Sequence, residues 1–266
     1  MTPQSSSTIV RPVTVEPGWQ LAVALAAFVV LGVAVARAGR LPLVSAIPWA
    51  AVRAAVQLVA VSLVVGLALS HPAWAFGFLT VMFTIGVVTT ARRTELKGLR
   101  PRLAAAAAMA AGAVPVLLIV FLSGAAPLNG AAIVPIGSIV VGNMMTAHTL
   151  AARRAFAELR ARIPEYEAYL SLGFTRNTAV TAIVTETLHE AIIPALDQTR
   201  TVGLVTLPGA YIGVLLGGGS PWEAAAAQVL VLVGINTGQA CTAVTARWLM
   251  ARGLLLPPDL LERLRP

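Results

Sequence analysis

The sequence has few charged residues for its length. Only 11% of its 266 residues are Asp, Glu, Lys or Arg, whereas 58% are apolar. A water-soluble domain carries about 25% charged residues, so the charges of this chain are too few to cover a water-facing surface. This composition excludes an ordinary cytosolic enzyme and a disordered protein. It indicates an integral membrane protein.

Cysteine and lysine are almost absent as well. The single cysteine, Cys241, can form neither an intrachain disulfide nor a Cys/His zinc site. The single lysine, Lys97, is followed by Gly98 rather than by Ser or Thr, so the chain has no P-loop. The motifs of serine hydrolases and of zinc proteases are also missing. We therefore expect no catalytic residue, no cofactor bound by this chain, and no ATP hydrolysis by the P-loop mechanism.

The sequence consists largely of long apolar runs. A helical crossing needs about 17–25 apolar residues, and the runs lack the alternation that marks a transmembrane β-barrel. We predict an all-α, polytopic transmembrane helix bundle with about seven crossings. The predicted crossings are residues 18–36, 53–69, 73–90, 103–122, 131–150, 202–217 and 223–248.

The cations lie in alternate loops. They follow the first, third, fifth and last predicted crossings, and the intervening loops have none. Because cytoplasmic loops carry the excess of Lys and Arg, we predict an outside N-terminus, a cytoplasmic C-terminus and a multi-pass location in the cell (plasma) membrane. Membrane lipid is an expected partner and nucleic acid is not. The resulting divisions are a polar N-terminal segment over 1–17, one transmembrane domain over 18–250 with a cytoplasmic region at 151–201, and a cytoplasmic tail over 251–266.

Residues 177–201 do not fit this simple pattern. The segment is apolar overall, yet five ionisable residues fall on one stripe of a continuous helix: Glu186, His189, Glu190, Asp197 and Arg200. An Asp or Arg at the bilayer centre costs about 2.5–3.5 kcal/mol. We predict a helix at the cytoplasmic interface or packed against the bundle. The alternative is that Glu186, His189 and Glu190 line a translocation path, since ionisable residues within membranes are usually functional.

A short helix is predicted just before that segment. Pro164 suits its first turn, Glu165 and Glu167 suit the positive end of its dipole, and Gly173 suits its C-terminal end. A capped helix in a basic loop offers a surface to which a soluble partner can bind. The spacing from Glu167 to Gly173 resembles the coupling helix of ABC-transporter permeases, although the Leu-Pro that usually closes that motif is missing. A plain capped surface helix is the alternative.

A wider set of motifs resembles the FetB-type iron-export ABC transporter permeases, a family that includes plant aluminium-tolerance membrane proteins. The match runs over about residues 41–256. Its motifs are Arg53-x-x-x-Gln57-Leu58, Gly142-Asn143-Met144-Met145, Glu167-Ala168-x-Leu170-x-Leu172-Gly173, Ala191-Ile192-Ile193-Pro194-Ala195-Leu196, Gly203-Leu204-Val205-x-Leu207-Pro208-Gly209 and Gln228. Two departures concern the cargo: Ala210–Val214 replace the usual Met-Met-x-Gly-Gln, and Asp197 replaces an asparagine.

The resemblance implies a permease subunit that exports a metal ion, iron in the family, and works as a homodimer. A separate cytoplasmic ABC ATPase subunit would bind the ATP and drive transport. The residues that would couple the two subunits are Glu165, Glu167, Ala168, Tyr169, Leu172 and Gly173. The alternative function is a self-sufficient secondary transporter of a small solute or metal ion. Such a transporter typically has inverted repeats, and the two halves of this sequence show none.

Several polar or sulfur-containing side chains in the predicted crossings are candidates for the translocation path or for cargo binding. Thioether and imidazole groups suit softer transition metals, although Met more often fills core gaps, and the sequence does not define a metal site. Amides in the last crossing, at 228, 236 and 239, either line a path or hold helices together. The candidates are Gln57, Asn143, Met144, Met145, His148 and Gln228.

Three glycines recur at every fourth position near the end of the sixth predicted crossing: Gly209, Gly213 and Gly217. On a helix they form a flat ridge that lets another helix approach closely. We predict that this ridge packs against a helix in the bundle or at a dimer interface.

Overall fold

The structure is a computed structural model that describes residues 18–264, so the predicted polar segment 1–17 lies outside the described residues. Among the described residues the chain is helical and contains no β-strand, which confirms the all-α prediction. The α-helices are α1 Trp19–Ala38, α2 Ala46–Ser70, α3 Pro72–Arg93, α4 Leu99–Leu122, α5 Gly130–Ala161, α6 Ile163–Ser171, α7 Arg176–Leu188, α8 Ile193–Thr201, α9 Gly209–Leu216, α10 Pro221–Ala251 and α11 Pro258–Arg263. A 3₁₀ turn at His189–Ala191 separates α7 from α8.

Seven helical runs within 18–264 are long and apolar enough to cross a membrane, which is the predicted number. They are α1, α2, α3, α4, α5, the run Arg176–Thr201 and α10. Side chains in the turns between the predicted crossings cap three of them. His71 Nδ1 accepts from the backbone N–H of Ala73, Asn129 Oδ1 accepts from Ala132, and Ser220 forms a capping box with Glu223. The chain is a multi-pass membrane protein.

The chain divides into two compact units, one ending at Gly66 and the other beginning at Leu67. In the first unit, α1 and most of α2 are joined by a turn in which Arg40 has a positive φ of 52°. Arg53 and Gln57 lie on exposed positions of α2 in this unit. In the second unit, α3 to α11 are arranged around the two longest helices, α5 and α10.

Helices α5 and α10 are longer than a bilayer requires, and α5 extends 11 residues past its predicted end at 150. They have 32 and 31 residues, or about 48 and 46 Å at 1.5 Å per residue. A hydrocarbon core of about 30 Å takes only about 20 residues. The excess, residues 151–161 of α5 and 241–251 of α10, is called the stalk below. On the predicted orientation, the stalk projects into the cytoplasm.

Helix α7 packs along the stalk. Val180, Ile183 and Val184 of α7 are fully buried in one cluster with alanines of both stalk helices. Small side chains bring the helices close, and the branched side chains of α7 fill the space between them. The segment predicted to be interfacial or packed against the bundle is therefore packed against the bundle over α7.

The sixth crossing is not where the sequence predicts it, because the candidate span is the run Arg176–Thr201, predicted to lie at the interface or against the bundle, and not residues 202–217. Residues 177–201 are not one helix. Pro194 has no backbone N–H to donate, and in a continuous helix its ring would clash with the carbonyl four residues earlier. The helix is therefore interrupted by the 3₁₀ turn just before Pro194. Residues 202–217 are not a continuous crossing either. Gly203 has a φ of +80° and its N–H bonds to Thr206, so a turn precedes α9, which has only 8 residues.

The pieces of the sixth crossing follow α10 in order. Thr199 of α8 contacts Asn236, and Tyr211 of α9 contacts Gln228, two positions about 12 Å apart along α10. The run Arg176–Thr201 and α9 therefore form one discontinuous path along α10, with α7 at the stalk and α9 at the opposite end.

Two glycines outside the predicted ridge, Gly112 and Gly238, lie at close helix contacts. A Cβ on Gly112 of α4 would strike Thr242, Met144 and the backbone of Gly238, and a Cβ on Gly238 of α10 would lie 2.9 Å from the sulfur of Met144. The absent side chains let α4, α5 and α10 meet at this point.

The segment after α10 is packed rather than extended. Leu255, Leu256, Leu260 and Leu264 are at most 2% exposed. They belong to the same cluster as Tyr166 of α6 and the stalk. The predicted C-terminal tail thus forms part of this buried core, at least through residue 264.

Candidate functional site

Helix α6 ends in a well-formed Schellman motif. The N–H of Gly173 bonds to the carbonyl of Leu170 at 2.9 Å, and the N–H of Phe174 bonds to that of Tyr169 at 3.0 Å. Gly173 has a φ of +84°, where glycine is favoured. The rings of Tyr169 and Phe174 meet edge to face with centroids 5.6 Å apart. The predicted C-terminal end of this helix is therefore present in the structure.

Arg162 joins three helices at the start of α6. Its Nε and Nη2 atoms donate to the two carboxylate oxygens of Glu165, each at 2.6 Å, and its Nη1 forms an ion pair with Glu186 of α7. These carboxylates raise the pKa of the Arg162 guanidinium, with Glu165 the larger cause. Since Arg162 directly follows α5, the network connects α5, α6 and α7.

The inner face of α6 is anchored by Tyr166. This side chain is 1% exposed, and its hydroxyl donates to the carbonyl of Leu264 at 3.3 Å. Burial raises the pKa of the Tyr166 phenol. Close by, Arg160 Nε and Nη2 bond to the two oxygens of Asp259 at 2.8 and 3.0 Å, which lowers the pKa of that carboxyl. The C-terminal segment is therefore bonded to both α5 and α6.

The outer face of α6 is free within the described chain. Glu167, Ala168 and Leu172 are exposed, with Leu172 at 77%. Tyr169 instead packs partly against the buried core of the stalk. Of the six predicted coupling residues, Glu167, Ala168 and Leu172 are thus accessible on the surface. Glu165, Tyr169 and Gly173 hold the helix in position.

Two of the ionisable residues from the 177–201 stripe pair with arginines outside that segment, whereas Asp197 pairs with Arg200 within it. Glu186 bonds to Arg162, and Glu190 lies 3.1 Å from Arg154 Nε. His189 is exposed in the 3₁₀ turn beside them. Glu186, His189 and Glu190 lie at the stalk rather than beside the middle of α10.

The predicted soft donors are divided between two interfaces. Met144 is fully buried, and its sulfur accepts a hydrogen bond from Thr242 of α10 at 3.2 Å. Met145 packs toward Gly86 of α3, and His148 Nδ1 lies 2.8 Å from Thr90 of the same helix. Met144 therefore contacts α10, whereas Met145 and His148 contact α3.

His148 has a defined tautomer in this arrangement. Thr149 donates its one hydroxyl proton to the carbonyl of Met145, so it must accept from Thr90, with 2.8 Å between the two hydroxyl oxygens. Thr90 must then accept from His148, which places the imidazole proton on Nδ1. Nε2 is left as a buried acceptor with no partner within residues 18–264.

Asn143 and Gln228 both tie helices together near a cavity. Gln239 of α10 donates to Asn143 at 3.3 Å, and Gln228 Oε1 accepts from the N–H of Tyr211 in the first turn of α9 at 3.2 Å. The cavity has a volume of about 880 Å³ and is lined mostly by small and apolar residues of α5, α9 and α10. Gly209 and Gly213 face it, and a Cβ on either would meet nothing within 4 Å. No helix of the described chain covers this part of the predicted glycine ridge.

A family model described as Uncharacterised protein family (UPF0014) matches residues 19–255. The chain belongs to this family. It is 30% identical over 212 residues to the UPF0014 membrane protein STAR2 of Oryza sativa subsp. japonica, covering 79% of this chain and 74% of that one. No solved structure matches the chain.

Two further relatives correspond to the resemblance seen in the sequence. The probable iron export permease protein FetB of Escherichia coli (strain K12) is 27% identical over 225 residues, covering 84% of this chain and 87% of that one. Protein ALUMINUM SENSITIVE 3 of Arabidopsis thaliana is 33% identical over 125 residues, which is 46% of each chain. The resemblance to this family is thereby confirmed.

Proposed function

We propose that this chain is the membrane-spanning permease subunit of an ABC transporter that exports a metal ion and is powered by a separate cytoplasmic ATPase. The name of the FetB relative supports the permease role and makes iron the proposed cargo. The chain would act as a homodimer, with ATP bound on the partner subunit and no cofactor bound by the permease itself.

The observation that carries this proposal is the attachment of α6. Its inner face is buried through Tyr166, and its first turn is bonded to both α5 and α7 through Arg162. Its outer face exposes Glu167 and Leu172 and makes no contact within the described chain that would cover them. A helix that is fixed to the permease on one face and exposed on the other is suited to bind a partner and to transmit its conformational change.

The route for that push runs through α7. Arg162 bonds to Glu186 near the end of α7, and the chain continues through the 3₁₀ turn into α8. Helix α8 in turn contacts the middle of α10 through Thr199 and Asn236. Movement of α6 would therefore reach the membrane portion of the sixth and seventh crossings without crossing a flexible loop.

The test is co-purification of the chain with its ABC ATPase, together with cargo-stimulated ATP hydrolysis by the reconstituted complex. Glu167→Arg should reduce association at least tenfold, because it reverses a charge on the proposed contact face. Glu262→Arg, a charge reversal on exposed α11, is the matched control and should leave association unchanged. If both variants bind the ATPase like the wild type, α6 is not the docking helix.

Gly173→Val separates docking from coupling. The Cβ would meet nothing within 4 Å, but valine is strained at a φ of +84°, so the exit from α6 should change direction. We expect association to persist while stimulated ATP hydrolysis falls at least fivefold. Wild-type stimulation in this variant would contradict the coupling role.

A secondary transporter is the second candidate, and the discontinuous sixth crossing favours it. Broken helices at membrane depth are typical of secondary transporter sites. Proteoliposomes that contain only this chain distinguish the two functions. Metal-ion uptake driven by a pH gradient without any ATPase would establish the secondary transporter and refute the ABC permease.

A further inference from the structure

A chain of hydrogen bonds between α5 and α10 ends in an amide oxygen that has no partner. Asn143 Nδ2 donates to the backbone carbonyl of Ile139 at 2.9 Å, and Gln239 Nε2 donates to Asn143 Oδ1 at 3.3 Å. Because the carbonyl of Ile139 can only accept, Asn143 must present its NH₂ group to it and its oxygen to Gln239. Gln239 must then donate, which leaves its Oε1 as the free end of the chain.

A second chain, between α8 and α10, ends in the same way. The hydroxyl of Thr199 donates to the backbone carbonyl of Ala195 at 2.8 Å, and Asn236 Nδ2 donates to that hydroxyl at 2.8 Å. Thr199 has one proton, which the carbonyl of Ala195 takes, so it can only accept from Asn236. The Oδ1 atom of Asn236 is therefore the free end.

Both free oxygens are buried and lie on neighbouring positions of α10. Gln239 is 3% exposed, and neither Gln239 Oε1 nor Asn236 Oδ1 has a hydrogen-bond partner within the described residues. Residues three apart on a helix have Cβ atoms about 5–6 Å from each other. A buried acceptor without a partner is unfavourable, and two such acceptors three residues apart on α10 indicate a ligand that supplies positive charge or hydrogen-bond donors.

These amides lie just below the floor of the cavity between α5, α9 and α10. Ile139 and Val231 line that cavity, and they pack with Ala195 and Ile235 in one apolar cluster. The backbone carbonyls of Ile139 and Ala195 are the same groups that fix the direction of the two chains. Along α10, the cavity is therefore followed first by the apolar cluster and then by the two amide oxygens without partners.

We propose that Gln239 Oε1 and Asn236 Oδ1 are ligands of a cation site on the translocation path, and that this site takes a partly hydrated, oxygen-preferring divalent cation. The proposal rests on the proposed function of metal-ion transport and names the groups that hold the cargo. Amide oxygens suit metals such as Mg²⁺ and Mn²⁺ rather than soft ones. Two neutral ligands bind weakly enough for the ion to leave again, as transport requires.

The chemistry of the neighbouring sulfur supports oxygen rather than sulfur ligation. Met144 lies one residue after Asn143, but its sulfur already accepts a hydrogen bond from Thr242 and fills the space left by Gly112 and Gly238. Using that sulfur as a ligand would empty the closest contact between α4, α5 and α10. The amide oxygens, in contrast, are free without any rearrangement.

The experiment measures Mn²⁺ binding by electron paramagnetic resonance to the purified full chain in lipid nanodiscs, without any ATPase. Gln239→Leu, which removes the amide at similar volume, should weaken binding at least tenfold. Gln239→Glu should strengthen it at least tenfold, because a carboxylate replaces a neutral oxygen. Met145→Leu is the control for a thioether ligand and should leave Mn²⁺ binding unchanged. Thr237→Val, on an exposed position of the same helix, controls for α10 itself.

The proposal is overturned if the wild type binds no Mn²⁺, if Gln239→Leu and Gln239→Glu both bind it like the wild type, or if Met145→Leu loses it. The gain expected from Gln239→Glu cannot arise from misfolding, so the outcome does not depend on the leucine variant alone. Co-purification with the ATPase is a separate measurement. If Gln239→Leu loses Mn²⁺ binding but still associates with the ATPase, both proposals are supported. If Mn²⁺ binding depends on Gln239 but the wild-type chain does not associate with an ATPase, the cation site stands and the ABC permease is refuted.

Discussion

The hydroxyl of Tyr166 donates to the backbone carbonyl of Leu264, and this bond joins the exposed helix α6 to the C-terminal segment. The two residues are 98 positions apart in the chain. Around them, Leu260 and Leu264 fill the core against the stalk. The C-terminal segment is thus a structural support for the surface that we propose docks the ATPase.

Truncation of that support should loosen α6. Leu260 is fully buried, and Leu→Ala at such a site costs about 2–5 kcal/mol. We expect Leu260→Ala to lower the melting temperature of the purified protein and to weaken ATPase co-purification. Leu261→Ala, at a site that is 43% exposed, is the matched control and should change neither. Equal melting temperatures for the two variants would contradict the packed C-terminal segment.

The ion pair of Arg160 and Asp259 should make part of the stability depend on pH. Arg160 lowers the pKa of Asp259 below 3.8, so the carboxyl of the folded protein stays charged to lower pH than that of the unfolded chain. The stabilisation is fully present above pH 3.8 and is lost as the pH falls through the lowered pKa. Because Asp259 is partly exposed, we expect an effect of at most about 1 kcal/mol.

The measurement for this pair is the difference in melting temperature between the wild type and Asp259→Asn. The wild type should melt higher at pH 7, and the difference should shrink as the pH falls below 3.8. Glu262→Gln, on the next turn of α11, serves as the control. A difference that is constant with pH would show that the ion pair is not its source.

Gly112 should tolerate no side chain, whereas Gly213 should. A Cβ on Gly112 would overlap Thr242 and Met144, but a Cβ on Gly213 would meet open space. Overpacking typically costs about 1–3 kcal/mol, so Gly112→Val should lower the folded yield in fluorescence-detected size-exclusion chromatography. Gly213→Val should retain that yield. The reverse order would place the packing contact at the glycine ridge instead.

The one-sided distribution of cations predicts opposite locations for the two ends of α10. Trp222 is 86% exposed at its start, and Arg263 is exposed on α11 beyond its end. In a Cys241→Ala background, an impermeant thiol reagent added to intact cells should label Trp222→Cys but not Arg263→Cys. Both should react after permeabilisation. Labelling of Arg263→Cys in intact cells would contradict the predicted orientation.

Most crossings could be predicted because length and apolar composition decide them locally. The C-terminal end of α5 could not. Residues 151–161 carry arginines, so a hydropathy criterion ends the crossing near 150, yet the same residues are alanine-rich and continue the helix. These residues are also stabilised by packing against α7 and the C-terminal segment. Such contacts between distant parts of the chain cannot be predicted from the local sequence.

The candidate site was predicted in part. The ends of α6 follow from Pro164 and Gly173, which are local signals. The roles of Glu186 and Asn236 depend on the partners that other helices bring to them, Arg162 and Thr199. The sequence identifies Asn236 and Gln239 as amides within the last crossing. Only their hydrogen bonds, to Thr199 and Asn143 respectively, show which amide oxygens have no partner.

The break between α8 and α9 bears on how the chain is inserted during synthesis. Helix α8 has 9 residues and α9 has 8, about 14 and 12 Å in length, so neither reaches across a hydrocarbon core of about 30 Å. Helix α8 also carries Asp197 and Arg200, each of which costs about 2.5–3.5 kcal/mol at the centre of a lipid-exposed helix. The run Arg176–Thr201 is long enough to cross only together with α7, and α7 packs along the stalk, so the sixth crossing is complete only when α10 emerges with Gln228 and Asn236. We expect the nascent chain to pass from five inserted spans to seven in one step.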